Sequence, residues 1–407
     1  MISFDDLAVP QKRALDLVRE TAAEKQCRPF LVGGPVRDLL LGRHAVDIDI
    51  TVEQDSSTLA RALAKRLGGR VRSFPQFLTY KVTAEAMPEI DIATARREKY
   101  PRPGALPTVQ PGKLKDDLLR RDFAINAMAL DVLTGELHDP ADGASDLEAR
   151  LVRVLHDRSF VDDPTRVFRG IRLATRLGFA IEPHTTELMH DAIADGALTT
   201  VAKERIWREL FLAMDEADAP DVVAAIVCSG ATEVLFGKRE DGDALRSRLE
   251  IARREISMNP ELDCHVMYTA AILHGNASPV DLEGSGFSQK RARNLVQIAN
   301  EVGRFSDALA EAKSDRHRFR LLKHASPEML SVLSATAPTE QEHVARFHEF
   351  RDFKLPLRGT DLEVPLGPHV AKALERTKEA VFTGEIDVSQ ARTFAREVAL
   401  KYLDRDK

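Results

Sequence analysis

The chain has 407 residues, of which 43% are hydrophobic and 30% charged, as is typical of a folded globular protein with more than one domain. The formal net charge of -6 and the aromatic content of 6% exclude a uniformly basic surface and a recognition surface built mainly from stacked rings. The sequence has no apolar run of roughly 18 residues, begins with acidic residues and spaces its three cysteines far apart, so we expect a cytoplasmic protein without a membrane partner.

Short strands and helices alternate over about the first 140 residues. Alternating apolar and polar residues predict strands in RPFLVGG, VDIDITV, FLTYKVTA and EIDIATAR. Helical periodicity predicts helices over 11–25 and 56–69, with one helical turn in VRDLLLG. From about Asp157 onward the pattern is helical. The sequence therefore predicts an α+β fold, with a small mixed sheet and helices first and an all-helical remainder.

Two acids stand close together on one of these strands. Asp47 and Asp49 flank Ile48, so both carboxylates point to the same face of the sheet. Two like charges so close are costly unless a cation lies between them, and a divalent ion with oxygen ligands fulfils that role. A third acid, Asp91, lies on another predicted strand, and the three would form a two-metal site for phosphoryl transfer. A solvated strand edge is the alternative for the first two acids alone.

Two glycines, Gly33 and Gly34, directly follow the first predicted strand. Glycine lets backbone N–H groups approach a phosphate, the following helix attracts anions, and Arg37 adds a charge-assisted contact. A plain turn is the alternative interpretation of the two glycines.

Charged and polar side chains also stand inside the apolar run LLRRDFAINAM, at Arg120, Arg121, Asp122 and Asn126. Charged groups in apolar surroundings need partners. A triphosphate for Arg121 and a ribose hydroxyl for Asp122 would supply them. An internal salt bridge is the alternative.

An acid and three arginines recur every third residue along a predicted helix: Asp163, Arg166, Arg169 and Arg172. Asp162 would cap this helix and Pro164 would lie in its first turn. Arginines along one face repel each other unless an anion lies beside them. An acceptor at Asp163 and a bidentate donor at Arg166 are the groups needed to read a base edge. A solvated surface helix, the alternative, usually alternates its charges.

These segments together resemble the family of class II tRNA nucleotidyltransferases and bacterial poly(A) polymerases, within the polymerase-β-like superfamily. The matching segments, in the family's order, are LVGGPVRDLLLGR with DIDI, RRDFAINAMA, HDPADGASDL, DDPTRVFRGIRLATRLGF and KERIWREL. The resemblance implies a transferase that adds CCA, or part of it, to tRNA 3′ ends from CTP and ATP and releases pyrophosphate. An enzyme that adds only A and a poly(A) polymerase are the alternatives within the family, and an inactive RNA-binding homologue is the alternative from another class.

The resemblance also implies a role for each matching residue. Asp47 and Asp49, together with Asp91, would hold Mg²⁺. The residues that would bind the incoming nucleotide are Gly34, Arg37, Arg121 at the triphosphate, Asp122 at the ribose, Asn126, Asp163 and Arg166 at the base, and Arg169 and Arg172 in support.

Two further segments have counterparts among relatives. The stretch from Arg96 to Gly112 is rich in proline and glycine and corresponds to a flexible loop, whose completeness argues against an enzyme that adds only CC. Some relatives append an HD phosphohydrolase domain, but His274-Gly275 stands here in place of the metal-binding His-Asp pair. We therefore expect His265 and His274 to be ordinary helix residues, and we expect no hydrolase activity.

The family's architecture predicts four parts: a catalytic head over 1–155, a base-recognising neck over 156–215, an RNA-binding body over 216–330 and an RNA-binding tail over 331–407. Two basic clusters would bind the phosphates of the tRNA acceptor arm, and their residues are Lys290, Arg291, Arg293, Arg316, Arg318 and Arg320. A solvated helix face is the alternative for each cluster.

Overall fold

The computed structural model describes residues 4, 7–43, 47–237, 242–260, 262–273, 282–336 and 340–405. They form two compact units, Met1–Val234 and Leu235–Lys407. The described strands all lie in the first unit and the described part of the second is helical, so the predicted α+β fold is confirmed. The division into four parts stays a prediction.

The strands are β1 (Pro29–Val32), β2 (Ile48–Val52), β3 (Arg70–Phe74), β4 (Thr79–Thr83), β5 (Ile90–Thr94), β6 (Arg96–Lys99), β7 (Thr108–Pro111), β8 (Ala129–Asp131), β9 (Leu137–His138), β10 (Leu151–Val152) and β11 (Ala180–Ile181). Seven of them form one mixed sheet in the order β3-β4-β5-β2-β1-β8-β9. β2 and β5 run parallel, and the other neighbours in this sheet are antiparallel. β2 therefore lies between β1 on one side and β5 on the other.

The helices of the first unit begin with α1 (Val9–Glu24), α2 (Gly34–Leu40), α3 (Ser56–Leu67), α4 (Leu114–Leu119), α5 (Gly143–Glu148), α6 (Ser159–Asp162), α7 (Arg166–Leu177), α8 (Pro183–Ala194), α9 (Lys203–Met214) and α10 (Ala219–Cys228). The chain continues through α11 (Glu233–Phe236), α12 (Gly242–Met258), α13 (Cys264–Leu273), α14 (Gln289–Ala310), α15 (Asp315–Leu322), α16 (Pro327–Thr336), α17 (Gln341–Arg351), α18 (Pro368–Phe382) and α19 (Ala391–Arg405). None of the helices in the described ranges is long and apolar enough to cross a membrane.

One face of the large sheet is apolar and covered by a helix. Val82, Ile90 and Ile92 are buried there, and α3 packs on β3, β4 and β5 with Leu59 and Leu63 inside. Because side chains alternate along a strand, the positions between these apolar residues point to the opposite face. That opposite face carries the charged residues of β2, β4 and β5.

The segment expected to be a flexible loop is folded as a hairpin. β6 and β7 pair antiparallel from Arg96↔Pro111 to Lys99↔Thr108. Its tip is held at Gly104, whose N–H donates to the Asp162 carbonyl at 3.3 Å. Backbone hydrogen bonds between β6 and β7 order part of this segment, although its composition is rich in proline and glycine.

The helix with the arginine stripe starts later than the sequence predicts. Asp162 is the last residue of α6, and α7 begins at Arg166 after a turn that contains Pro164. Asp162 therefore does not cap α7, and Asp163 lies before the helix rather than on it. The spacing of three residues predicted a continuous stripe because it carried no signal for the break between α6 and α7.

In the second unit, α12, α13, α14 and α16 pack against one another, and α18 packs along α19. A cluster of aromatic rings lies between α15, α17 and α18, where Phe319 contacts Phe347 and Phe382 at centroid distances of 5.5 and 5.1 Å. His265 lies within α13, whereas His274 lies outside the described residues. That neither histidine binds a metal stays a prediction.

Gly170 lets α7 approach the loop that follows α4. A Cβ atom at Gly170 would lie 2.9 Å from Phe123 Cζ, and Phe123 is fully buried. By contrast, a Cβ at Gly303, inside α14, would meet no atom within 4 Å. The two glycines therefore differ in packing although both lie inside helices.

We expect Gly170→Ala to lower the free energy of unfolding by about 1–3 kcal/mol, because the added methyl group overpacks a buried contact. Gly303→Ala is the matched control and should raise it by roughly 0.5–1 kcal/mol through helix propensity alone. Urea unfolding of both variants and the parent measures the two changes. Equal shifts of the two variants would contradict the close approach of α7.

Candidate active site

The three predicted metal-binding acids lie side by side on the uncovered face of the sheet. β2 and β5 pair in a register that puts Asp49 directly beside Asp91, and neighbouring strands are about 4.8 Å apart. Asp47 immediately precedes β2 and lines the same cavity as Asp49. The structure thus brings the three carboxylates together.

These carboxylates fit a divalent cation. Burial raises the pKa of Asp49 to about 6. The positive charge of Arg121 opposes this rise, and the negative charges of Asp91 and Asp47 add to it. Burial also raises the pKa of Asp91, whose buried Oδ1 accepts no hydrogen bond from the described residues. Adjacent carboxylates with an unsatisfied oxygen suit a cation with oxygen ligands, and such a cation would remove the cost of their repulsion.

Two arginines flank the glycine turn between β1 and α2. Gly33 has a φ of +77°, and a Cβ there would lie 2.6 Å from Arg121 Nη1, so glycine is required for this guanidinium to lie against the turn. Arg121 Nη2 also donates to Asp117 Oδ2 at 3.1 Å. Arg37 is buried, and its Nη1 donates to Asn126 Oδ1 at 2.7 Å.

Asp122 lies at the centre of a hydrogen-bond network. Its Oδ2 accepts from Arg169 Nε at 3.0 Å and Nη2 at 2.5 Å, and its Oδ1 accepts from Asn126 Nδ2 at 3.1 Å. Burial alone would raise the pKa of Asp122, but Arg169 and Asn126 together hold it well below its usual range. The internal salt bridge, the alternative for Asp122, is therefore present. Its role at a ribose stays a prediction.

Asp163 and Arg166 are engaged by other protein groups but line one cavity. Asp163 Oδ1 accepts from Arg205 Nη2 at 2.8 Å. Arg166 is only 4% exposed, and its Nη2 donates to the Arg120 carbonyl at 3.0 Å and to the Tyr100 hydroxyl at 3.4 Å. A base entering this cavity would meet both side chains.

Glutamates neutralise the arginines of α7. Glu209 of α9 lies 3.9 Å from Arg169 and 3.6 Å from Arg172, measured between Oε and Nη1 atoms. Glu216, which follows α9, lies 3.5 Å from both Arg172 and Arg176. The expectation that repulsion among the arginines requires a bound anion is therefore wrong for Arg169 and Arg172, because protein carboxylates lie beside them. Arg166 instead donates to hydroxyl and carbonyl oxygens.

Sequence reasoning missed Arg205, Glu209 and Glu216 as parts of this site. The segment KERIWREL contains the first two one helical turn apart, so the resemblance offered a signal for them. Nothing in the residue pattern points to Glu216, since its pairing depends on how α9 packs against α7.

Two arginine-rich cavities open beside Asp49. The first, of about 310 Å³, extends along Arg172 and Arg176. The second, of about 570 Å³, extends along Asp163, Arg166 and Arg205. Both are also lined by Gly34, Asp49, Asp122, Asn126 and Arg169. A polyanionic ligand in either cavity would reach the acidic cluster.

The predicted RNA-binding residues lie on α14 and α15 of the second unit. Lys290, Arg291 and Arg293 are exposed, and Arg291 pairs with Asp263 at 2.6 Å. The arginines of α15 are also paired: Arg316 and Arg320 with Glu379 at 2.9 Å each, and Arg318 with Glu340 at 3.2 Å. These ion pairs make the clusters less basic than the sequence indicates, and RNA binding there stays a prediction.

Comparison with known proteins identifies the family of the chain. Residues 29–153 match the family model described as the poly A polymerase head domain. The CC-adding tRNA nucleotidyltransferase of Geobacter sulfurreducens is 30% identical in an alignment that covers 95% of this chain and 94% of that protein. The chain belongs to the tRNA nucleotidyltransferase and poly(A) polymerase family.

Other family members differ in length. The A-adding tRNA nucleotidyltransferase of Aquifex aeolicus is 32% identical over 81% of this chain, but the match covers 41% of that protein. The chain thus spans less than half the length of the first curated relatives it matches. A solved structure of a tRNA-processing enzyme with CTP aligns with this chain at a TM-score of 0.72 and 28% identity. The alignment covers 90% of this chain and 100% of that chain.

We expect the affinity for Mg²⁺ or Mn²⁺ to fall as the pH is lowered through about 6, the pKa of Asp49. Protonated Asp49 cannot bind a metal, so binding near this pH must release a proton. Calorimetric titration in buffers of different ionisation enthalpy, above and below this pH, measures both effects. Glu85→Gln, at an exposed position, is the control and should behave like the parent. An unchanged affinity at low pH would contradict a metal site at Asp49.

Proposed function

We propose that this chain transfers nucleotides from CTP and ATP to the 3′ end of tRNA, adding CCA or part of it and releasing pyrophosphate. The observation that carries the proposal is the cross-strand pair Asp49 and Asp91, with Asp47 beside it and arginine-lined cavities next to it. The cofactor is Mg²⁺ and the site of action is the cytoplasm.

Asp47 and Asp49 hold the metal, and Asp91 is the third candidate ligand. When bound, Mg²⁺ supplies charge stabilisation for the attacking hydroxyl and for the departing pyrophosphate. Gly33 and Gly34 leave room for the phosphates, while Arg121 and Arg37 neutralise them. Asp122 accepts a hydrogen bond from the ribose. Hydrogen bonds from Asn126 and Arg169 keep the Asp122 carboxylate ionised and oriented.

Base choice belongs to Asp163 and Arg166 in the larger cavity, with Arg169 and Arg172 in support. Arg205 holds the Asp163 carboxylate, and the Arg120 carbonyl holds the Arg166 guanidinium. These contacts fix both groups before the base arrives, which lowers the cost of ordering them on binding. RNA binding by Lys290, Arg291, Arg293, Arg316, Arg318 and Arg320 is part of the same proposal.

A second candidate product is addition of A alone. The 32% identity to an A-adding relative favours it, whereas the relative matched over nearly its whole length adds CC. Offering tRNA that lacks the whole CCA end, or only its terminal A, with CTP and ATP separately, distinguishes the products. Extension of only the second substrate selects the A-adding enzyme, and extension of neither contradicts the proposed function.

We expect Asp49→Asn to abolish nucleotide transfer and to raise the unfolding free energy of the metal-free protein by about 1–2 kcal/mol at neutral pH. The folded-state pKa of Asp49 is raised to about 6. Its charge therefore destabilises the fold above that pH, and the penalty disappears as the pH falls towards the ordinary value for aspartate. Asp49→Ala should also abolish transfer while largely preserving RNA affinity. Thermal unfolding, RNA binding and transfer assays test both variants, and normal turnover by either excludes the metal assignment.

We expect Arg166→Lys to lower kcat/KM for the cognate nucleotide about 10- to 100-fold, because lysine keeps the charge but loses the bidentate contact to the base. Arg158→Ala, at an exposed arginine shortly before α7, is the matched control and should leave nucleotide choice unchanged. Competition between CTP, ATP, GTP and UTP measures discrimination. Unaltered discrimination in Arg166→Lys would assign base reading to other residues.

A further inference from the structure

A row of charged residues runs across the uncovered face of the sheet, from the acidic cluster to the edge. Asp49 pairs with Asp91, Asp91 with Lys81, and Lys81 with Arg72, each directly opposite the next in the strand register. Directly opposed residues share a face of the sheet. Two acids are therefore followed by two basic residues in one straight line from β2 to β3.

The basic end of this row is available to a ligand. Arg70 and Arg72 share a face of edge strand β3, both are exposed, and neither forms an ion pair with a described residue. The Arg72 guanidinium lies 5.0 Å from the centroid of the Phe74 ring, which holds it over the same face. In contrast, Arg121, Arg169 and Arg172 in the active site all have carboxylate partners.

Lys81 connects the two ends of the row. Its Nζ lies 3.5 Å from Asp91 Oδ2, and it also contacts Glu89. Lys81 is half-buried, whereas Arg72 is exposed. Two carboxylates neutralise Lys81, so the positive charge left unpaired by the described residues lies at Arg70 and Arg72 on the open edge. We call Arg70, Arg72 and Lys81 the basic edge.

The sheet order puts the basic edge and the proposed nucleotide site on opposite sides of β2. The glycine turn after β1, Arg121 and both arginine-lined cavities lie beside Asp49, and neither cavity is lined by Asp91 or Lys81. Pyrophosphate leaving on the β1 side requires the attacking hydroxyl to approach from the opposite side, because attacking and leaving oxygens lie roughly in line. The opposite side of β2 is β5, from which the row leads to the basic edge.

We propose that the single-stranded 3′ end of the acceptor RNA crosses β5 and β4 and binds its backbone phosphates at the basic edge. The proposal rests on the proposed function and adds the path of the second substrate. Arg72 lies three strand spacings from Asp49, or about 14 Å, so its phosphate is a few nucleotides from the reacting hydroxyl. Phosphate contacts hold the strand without reading its sequence, and the Phe74 ring offers a face for one base.

The test compares Arg70→Ala/Arg72→Ala with the parent in binding a fluorescent hairpin RNA with an unpaired 3′ strand. We expect the affinity to fall about tenfold or more, since hydrogen bonds to charged groups are lost. The slope of log affinity against log salt should shrink by about one for each phosphate contact removed. The same hairpin with a blunt end should bind both proteins equally.

Arg61→Ala is the matched control, because Arg61 is exposed on α3, which covers the other face of the same sheet. Unchanged binding of the unpaired strand by the double variant, or equal loss for the blunt hairpin, overturns the proposal. Self-association of the double variant with unchanged RNA affinity also overturns it, because the arginines would then only protect a strand edge from pairing. RNA binding that depends on the basic edge without nucleotide transfer contradicts the proposed function instead.

Discussion

The ion pair between Asp122 and Arg169 is the constraint on which the rest of the first unit's site depends. Asp122 follows α4 and Arg169 lies on α7, so the pair fixes the arginine helix relative to the sheet. Asp122 is nearly buried, but the Arg169 side chain is 40% exposed, so removing one partner should cost less than the roughly 3–5 kcal/mol of a fully buried pair. Gly170 beside Phe123 makes this approach sterically feasible. The same helix carries Arg166, Arg172 and Arg176.

Charge balance connects the junction to both sides of the site. Asn126 connects Asp122 to Arg37 at the glycine turn, because it donates to Asp122 and accepts from Arg37. Glu209 extends it from Arg169 to Arg172 along α7. The acidic cluster is the exception, because the pKa values of Asp49 and Asp91 are raised, which means that their surroundings disfavour the charged carboxylates. Arg169 and Arg172 therefore have carboxylates beside them within the chain, whereas the acidic cluster fits a cation.

The sequence predicted which residues lie together at this site better than it predicted their partners. The D-x-D spacing placed Asp47 and Asp49 together because strand geometry has a fixed period of two. It did not reveal the break before α7, since Asp163 and Arg166 keep helical spacing across a turn. Glu216 was beyond prediction because its contacts join α9 and α7 through tertiary packing. The alternating elements of the head gave the fold class, while edge strand β3, with three polar residues in five, carried too little apolar pattern to predict.

Internal neutralisation of the arginines has a consequence for selectivity against common anions. A free phosphate or sulfate ion that approaches Arg169 or Arg172 must compete with the carboxylates of Asp122 and Glu209. It brings no compensation for the acids it displaces. In the proposed function, a nucleotide that arrives as a metal complex would supply a cation for the aspartates together with an anion for the arginines, so both halves of the site would gain partners at once. If the proposed function holds, free phosphate and sulfate would therefore compete poorly with the nucleotide at Arg169 and Arg172.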